Sequence, residues 1–461
     1  MFLSVLLLLL VSGSQATHYY GATMTYYPKE TFADGSVSVV LRYKLSFHLC
    51  TSDFWICGGN CGNLTVTVSP TRVEEISSVW CQTEGIVTHL LTNNSPLQLV
   101  YSSGNWINNV YGITSWRAVT EVELKNRSDI GRPNTSPQTT ILPALRVPST
   151  CSRNITLLAF DPDGDEVKCR YANFSLAECE DCKSPDVLNL SSSCSLTFGS
   201  LSRSNDNTDD SYPVQLVMED FSRENITLTQ TDGVQEVKTA SEEISKIPVQ
   251  FALTVVPAVP SCIEGEYLPR FLPPTPDNGA HLYTLVNHTL EIPVIAEATN
   301  STITELLFSG PYNVVKNTSK PGNATLTWTP SEREDGQSHA ICFVFQASFS
   351  GNLFDSELRC VIVTVGNPPT RPSTTSPTVT NTTSTPVTAT TSVTNSTPVP
   401  GPYSVVALNV EIKTPLSLES DYDTIEQQIK DEFIRRGLPP NIKLRLLSSS
   451  SVNVTSPTTF F

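Results

Sequence analysis

A chain of 461 residues is too long for one ordinary core and predicts about three modules at roughly 100 to 200 residues each. Only 16% of its residues are charged, 45 Asp and Glu outnumber 29 Lys and Arg, and the net charge is −16. That balance argues against nucleic acid and anionic membranes as partners, because both need a basic surface.

The first residues, MFLSVLLLLLVSGSQA, form a short apolar run closed by small residues, so 1–16 reads as a signal peptide with the mature chain starting at Thr17. The run is about ten residues, half of what a membrane span needs. No later stretch of 18 apolar residues occurs and the end, SSSSVNVTSPTTFF, has no hydrophobic tail, so the expectation is a secreted protein with no membrane span in this chain, or a cell-surface one if a longer form carries a span. Twelve cysteines, an even number, suit an oxidising compartment. Asn-x-Ser/Thr sequons are dense and predict heavy glycosylation: Asn63, Asn93, Asn126, Asn134, Asn154, Asn173, Asn189, Asn225, Asn287, Asn300, Asn317, Asn323, Asn381, Asn395 and Asn453.

Residues 17–142 read as a cysteine-containing β module plus a connector. In SVSVVLRYKLSFHLC, Val37, Val39, Leu41, Tyr43, Leu45, Phe47 and Leu49 fall on one face while Arg42, Lys44, Ser46 and His48 point to a wetter one. ITSWRAVTEVELK repeats the alternation with Trp116, Ala118, Thr120, Val122 and Leu124. Cys50, Cys57, Cys61 and Cys81 predict two local bridges, with three connectivities open. Phe54, Trp55 and Trp106 make a candidate binding face, since aromatics are enriched at hot spots, although tryptophan is more often core. The connector is the Pro/Ser/Thr-rich RSDIGRPNTSPQTTILPALRVPS.

Residues 143–259 carry the alternating segments NITLLAF, EVKCRY, YPVQLVMEDF and IPVQFALTVV, and residues 260–365 carry TLEIPVIAEA, TELLFSG, ATLTWTP, AICFVFQAS and LRCVIVTV. Short strands at regular spacing with no sustained 3.6 period predict a mostly β protein of tandem disulfide-bonded β-sandwich modules. Cys342 and Cys360 sit on consecutive strands and should bridge; closing that loop is worth roughly 3 kcal/mol. Cys151, Cys169, Cys179, Cys182, Cys194 and Cys262 are left to pair among themselves, partly across the module boundary.

Two stretches, DPDGDEVKCRY with the later VQLVMEDF and then WTPSEREDGQSHAICFVFQA, resemble the first and last hairpins of cadherin-like β-sandwich repeats. The resemblance spans about 220 residues of modules two and three and implies a cadherin-like β-sandwich at 143–259, a cadherin-like or Ig-like one at 260–365, and an adhesive role. The acidic linker motifs of true cadherins are missing around Val256, Pro257 and Ala258.

Residues 366–402, almost entirely Pro, Thr, Ser, Val and Asn, form a disordered mucin-like stalk. In 403–449 two strand-like segments flank one helix: Ser420 or Asp421 can cap it, Ile425, Ile429 and Phe433 make its inward stripe, and Gly437 before Pro439 and Pro440 stops it. This small α+β unit resembles part of a SEA domain, but the Gly-Ser-Val-Val-Val cleavage motif is absent, Ser404 following Tyr403, so self-cleavage is not expected. Residues 450–461 are a disordered tail.

The stretch FDPDGDEVKCRY sets Asp161, Asp163 and Asp165 on alternate positions around Gly164. One reading is a hairpin turn between NITLLAF and EVKCRY; the other is a weak calcium site, completed by Glu219 and Asp220 from the later hairpin. Catalysis by these acids would need a cleft and opposed environments, which an exposed turn lacks. The C-x-x-C of Cys179 and Cys182 and the C-x-x-x-C of Cys57 and Cys61 read as disulfides in a secreted chain. The histidines His18, His48, His89, His281, His288 and His339 are scattered, and H-E-x-x-H, G-x-S-x-G and phosphate-loop motifs are missing. The expectation is a non-enzymatic extracellular glycoprotein without a required cofactor, calcium being the one open candidate. It would act in adhesion or recognition of an extracellular protein or glycan; the rival is a structural mucosal or matrix glycoprotein whose hydrated glycans are the function.

Overall fold

The computed structural model describes residues 18–50, 55–59, 70–201 and 209–367. The signal peptide, Phe54, Cys61, Asn63, the stalk with Asn381 and Asn395, the SEA-like segment, Asn453 and the tail lie outside the described residues.

The described residues form 26 β-strands with two short 3-10 turns and no α-helix. The first stretch gives β1 (Tyr19–Thr31), β2 (Val37–Phe47), β3 (Ile56–Gly59), β4 (Thr71–Ile76), β5 (Trp80–Leu91), β6 (Leu97–Ser103), β7 (Trp116–Val122) and β8 (Asn126–Arg127). The second gives β9 (Ala144–Pro148), β10 (Arg153–Thr156), β11 (Glu166–Tyr171), β12 (Leu188–Leu190), β13 (Ser195–Phe198), β14 (Asp210–Phe221), β15 (Ile226–Thr229), β16 (Gln235–Lys238) and β17 (Glu243–Val256). The third gives β18 (Arg270–Leu272), β19 (Ala280–Thr284), β20 (Leu290–Glu297), β21 (Thr302–Ser309), β22 (Val315–Lys320), β23 (Asn323–Trp328), β24 (Ser338–Phe349), β25 (Asn352–Asp355) and β26 (Arg359–Val365).

The largest sheet has eleven strands and runs β3-β6-β7-β17-β1-β2-β5-β4, with β9, β11 and β14 joined to it beside β17. It crosses residue 142, so the two segments expected as separate modules share one sheet. The reason is the length of β17, whose 14 residues outreach any one partner. One edge pairs β14 throughout, from Asp210 opposite Val255 to Phe221 opposite Glu243. The other takes three partners in succession: β7 at Lys246 opposite Glu121, β1 at Thr23 opposite Val249, and β9 in parallel from Ala252 to Val256. Gly21 permits the junction. At φ +144°, a Cβ there would lie 1.9 Å from the Gln250 carbonyl oxygen, a position only glycine can occupy.

Two corrections concern this region. Trp55 and Trp106 are not a binding face; they are 1% and 3% exposed inside a core with Tyr19, Tyr43, Tyr101 and Trp116, where the Tyr19 ring stacks on Trp116 at 4.2 Å and meets Trp106 edge-on at 4.7 Å. The polar face of β2 is not wet either. Arg42, Lys44 and Ser46 are buried along with the apolar face, because the third segment lies over them, while Leu49, past the end of the strand, is exposed.

The third segment is a sandwich of β18-β20-β23-β22 against β19-β26-β24-β21, with β25 on β24. Alternation along β24 serves two cores. Ile341, Phe343 and Phe345 fill the sandwich with Phe271, Val294, Leu326 and Trp328, while Cys342 and Val344 join Leu216, Val249 and Phe251 of β14 and β17. Between this segment and β1, β2 and β5 lies a buried polar layer: Glu84 holds Arg42 and Lys44 at 3.1 Å each and accepts from the Tyr312 backbone N–H at 2.9 Å, and Arg42 reaches Glu334 at 3.5 Å.

The disulfides follow the same plan. Cys50–Cys81 and Cys169–Cys194 are local, Cys179–Cys182 closes a three-residue separation, Cys342–Cys360 ties opposed positions of β24 and β26, and Cys151–Cys262 joins the second segment to the third. Cys57 is disulfide-bonded too.

Candidate functional site: the acidic turn and its arginine

Asp161 to Asp165 do form a turn, but not a hairpin. The Gly164 N–H donates to the Asp161 carbonyl at 3.2 Å with Gly164 at φ +89°, and Asp161 Oδ1 accepts from the backbone N–H of Asp163 at 2.8 Å. The flanking strands do not pair with each other: β10 pairs β13, whereas β11 pairs β14. The turn is an arch that carries the chain from one sheet to another.

What holds the arch in place comes from the connector. Arg127 on β8 is 1% exposed, and its guanidinium donates to both oxygens of Asp165, one of them at 2.8 Å. The same group donates to Asp129 at 2.6 and 3.1 Å and to Asn134 Oδ1 at 2.5 Å. Asp163, with a fully buried side chain, accepts from Arg132 at 2.5 Å and from the Thr135 N–H at 2.6 Å.

Asp220, at the end of β14 and fully buried, accepts from the N–H and hydroxyl of Ser245 at 2.8 Å each and from the Asn134 amide at 2.7 Å. Glu219 does not join it. Successive strand residues face opposite ways, and Glu219 pairs instead with Arg170, which also holds Glu178 at 2.6 and 2.7 Å.

Asp161, Asp165 and Asp220 each offer an oxygen within 4.8 Å of the others. Asp161 Oδ2 is buried with no hydrogen-bond partner. Burial first, then the charges of Asp220, Asp163 and Asp165, push the Asp161 carboxyl well above the usual range; burial does the same to Asp220. A calcium shell needs six to eight oxygens, and here Asp165 is already spent on Arg127 while both Asp220 oxygens are taken. The donor set fits a charge knot with an arginine at its centre better than a calcium shell. Burial and the neighbouring carboxylates favour the protonated form of Asp161, and burial favours that of Asp220.

Asn134, expected from its sequon to carry sugar, is fully buried. Its amide N–H groups serve Asp220, Tyr26 and Ser245, and its carbonyl oxygen accepts from Arg127, so it is a structural cross-link between segments. Asn126, Asn154, Asn173, Asn189, Asn225, Asn287, Asn300 and Asn317 are exposed, and Asn93 and Asn323 are half-buried. Of the histidines, only His339 is buried; it lies edge-on to Trp328 at 5.1 Å, and burial followed by Arg42 and Lys44 drives its pKa well down.

No family model matches the chain, and no curated protein matches it. Among solved structures, it is similar to tandem Ig repeats of Dlar (12% identity, 50% of this chain and 95% of that one, TM-score 0.19). It is similar also to human protocadherin-24 EC1-2 (11%, 51% and 100%, TM-score 0.16) and to a family 107 endo-fucoidan hydrolase (12%, 70% and 41%, TM-score 0.17). Nothing those proteins bind or do transfers to this chain at such values.

Proposed function

We propose that this chain is an extracellular, non-enzymatic glycoprotein that acts in adhesion or recognition, holding loops out on a stiff stack of sheets toward an extracellular protein or glycan. The supporting observation is where its charged clusters are used. Arg127 with Asp165 and Lys246 with Glu121 join the first segment to the second, and Arg42, beside Lys44 and Glu84, reaches Glu334 of the third. Even in the shallow groove lined by Glu121, Glu123, Lys125 and Glu236, Lys125 bonds Glu236 at 2.7 Å and Glu123 at 3.4 Å. Ion pairs that cross from one segment to another favour a fixed relative placement, which suits a presenter of surfaces. Arg127 supplies positive charge to the acidic turn through Asp165 and Asp129.

The matrix reading draws on a different observation, that ten described sequon asparagines reach the surface. The test is cell binding by the full chain displayed on beads, before and after enzymatic removal of N-glycans. Saturable binding that survives deglycosylation is the expected result. Binding that never saturates, with hydrodynamic size as the only property that responds to deglycosylation, would replace adhesion with the matrix role.

A further inference from the structure

The loop from Asn173 to Cys182 presents apolar side chains on a rigid base. Phe174 to Leu176 form a 3-10 turn capped by Asn173, whose Oδ1 accepts from the Ser175 N–H at 2.9 Å and the Ser175 hydroxyl at 2.8 Å, and Ala177 closes it at φ 53°. The turn is pinned at its base. The Asn173 N–H donates to Glu178 at 3.0 Å, Glu178 is held by Arg170 and by Lys246 at 3.0 Å, Arg117 donates to the Ala177 carbonyl at 2.6 Å, and Cys179–Cys182 closes the far side. On this fixed turn Phe174 is 68% exposed and Leu176 50%.

Asn173, Phe174 and Ser175 spell a sequon, and the described hydrogen bonds of the Asn173 side chain run to its oxygen. Asn134 is the opposite case, its amide N–H groups being donated to buried partners.

We propose that Asn173 carries an N-linked glycan whose first sugars cover the Phe174 ring, while the Asn134 sequon stays bare. In the transfer a bond forms between Asn173 Nδ2 and the anomeric carbon of the first N-acetylglucosamine. That carbon's bond to a lipid pyrophosphate donor breaks, and the displaced amide proton leaves with the pyrophosphate. The cap survives the modification, since Oδ1 is not consumed, and the sugar's C–H face lies against an aromatic ring that otherwise stands in water. The same attachment at Asn134 would remove its bond to Asp220 and place a sugar in a fully buried site.

This rests on the extracellular reading, and the test separates the two. The full chain secreted from eukaryotic cells is deglycosylated enzymatically in heavy-oxygen water and mapped by peptide mass spectrometry. The label is expected at Asn173 and absent at Asn134. Sugar at other sequons with Asn173 bare, or sugar on Asn134, overturns the assignment alone; every sequon bare overturns the extracellular reading with it. Coverage of Phe174 is read by anilinonaphthalene sulfonate fluorescence of the folded protein. Deglycosylation should raise it severalfold for the parent and much less for Phe174→Ser, which keeps the sequon. Equal rises in both proteins would leave Phe174 uncovered by sugar and point to a protein partner there.

Discussion

Arg127 and Asp165, 38 residues apart, are locked through both carboxylate oxygens, so the connector between the first two segments grips the acidic turn of the second. Because Arg127 is 1% exposed, truncating it strands buried carboxylates without a counter-charge. Arg127→Met should cost about 3–5 kcal/mol in denaturant unfolding. Arg127→Met combined with Asp165→Asn should recover part of that loss, and a double variant no better than the single would mean the pair acts separately.

The Asp161 and Asp220 carboxyls, both raised by burial, give the fold a pH dependence of definite sign. The native state keeps a proton that the unfolded chain releases near pH 4, so stability is greatest at low pH within this window and falls as pH rises toward neutrality and beyond. Melting should therefore be lower at pH 8 than at pH 5.5, read by circular dichroism. Asp161→Asn should flatten that slope and, by removing a buried charge set beside Asp220, Asp163 and Asp165, stabilise at pH 8 by on the order of 1–3 kcal/mol. With Arg127 seated among the acids, millimolar calcium should leave both curves in place; a calcium-dependent rise in the parent alone would restore the acidic turn as a metal site.

Cys151–Cys262 is the covalent tie between second and third segments, spanning 111 residues of sequence. Replacing both cysteines with serine should lower stability by about 2–4 kcal/mol. Limited proteolysis should then cut faster between Val256 and Tyr267, while unchanged cleavage would mean that the packed faces alone hold the segments together.

Sequence patterning carried the strand content well, because period-two alternation is local: Val37 to Phe47, Trp116 to Val122 and the long run through Val249, Phe251, Leu253 and Val255 all lie in strands where the alternation put them. What lay beyond the pattern was long-range. Alternation gives each strand two faces but does not say what covers the polar one, so Arg42 and Lys44 read as solvated when the third segment buries them. Trp55 and Trp106 read equally as hot spot or core, and only the ring of aromatics around Tyr19 decides for core. The Asp-Gly turn was visible, whereas its role as an arch depends on β10 and β11 choosing partners elsewhere. Asn134 had no distinguishing local signal, because its burial is made by Tyr26, Asp220 and Ser245 from distant strands.

The polar layer between the first and third segments yields the last prediction. Glu84 is held below the usual carboxylate range although burial opposes this, because Lys44 and Arg42 outweigh it. A depressed acid contributes stability above its unfolded pKa and loses it as pH falls through the folded one, so this joint should loosen only in strong acid, opposite in sign to the Asp161 and Asp220 pair. Glu84→Gln keeps the size but takes the carboxylate from buried Lys44 and leaves Arg42 only Glu334 at 3.5 Å, and should cost on the order of 3–5 kcal/mol at neutral pH. Hydrogen exchange should localise the damage to β2, β5 and the Tyr312 N–H, which loses its acceptor. Loss spread evenly over all strands would instead mean that the segments unfold as one unit and that the layer has no separate role.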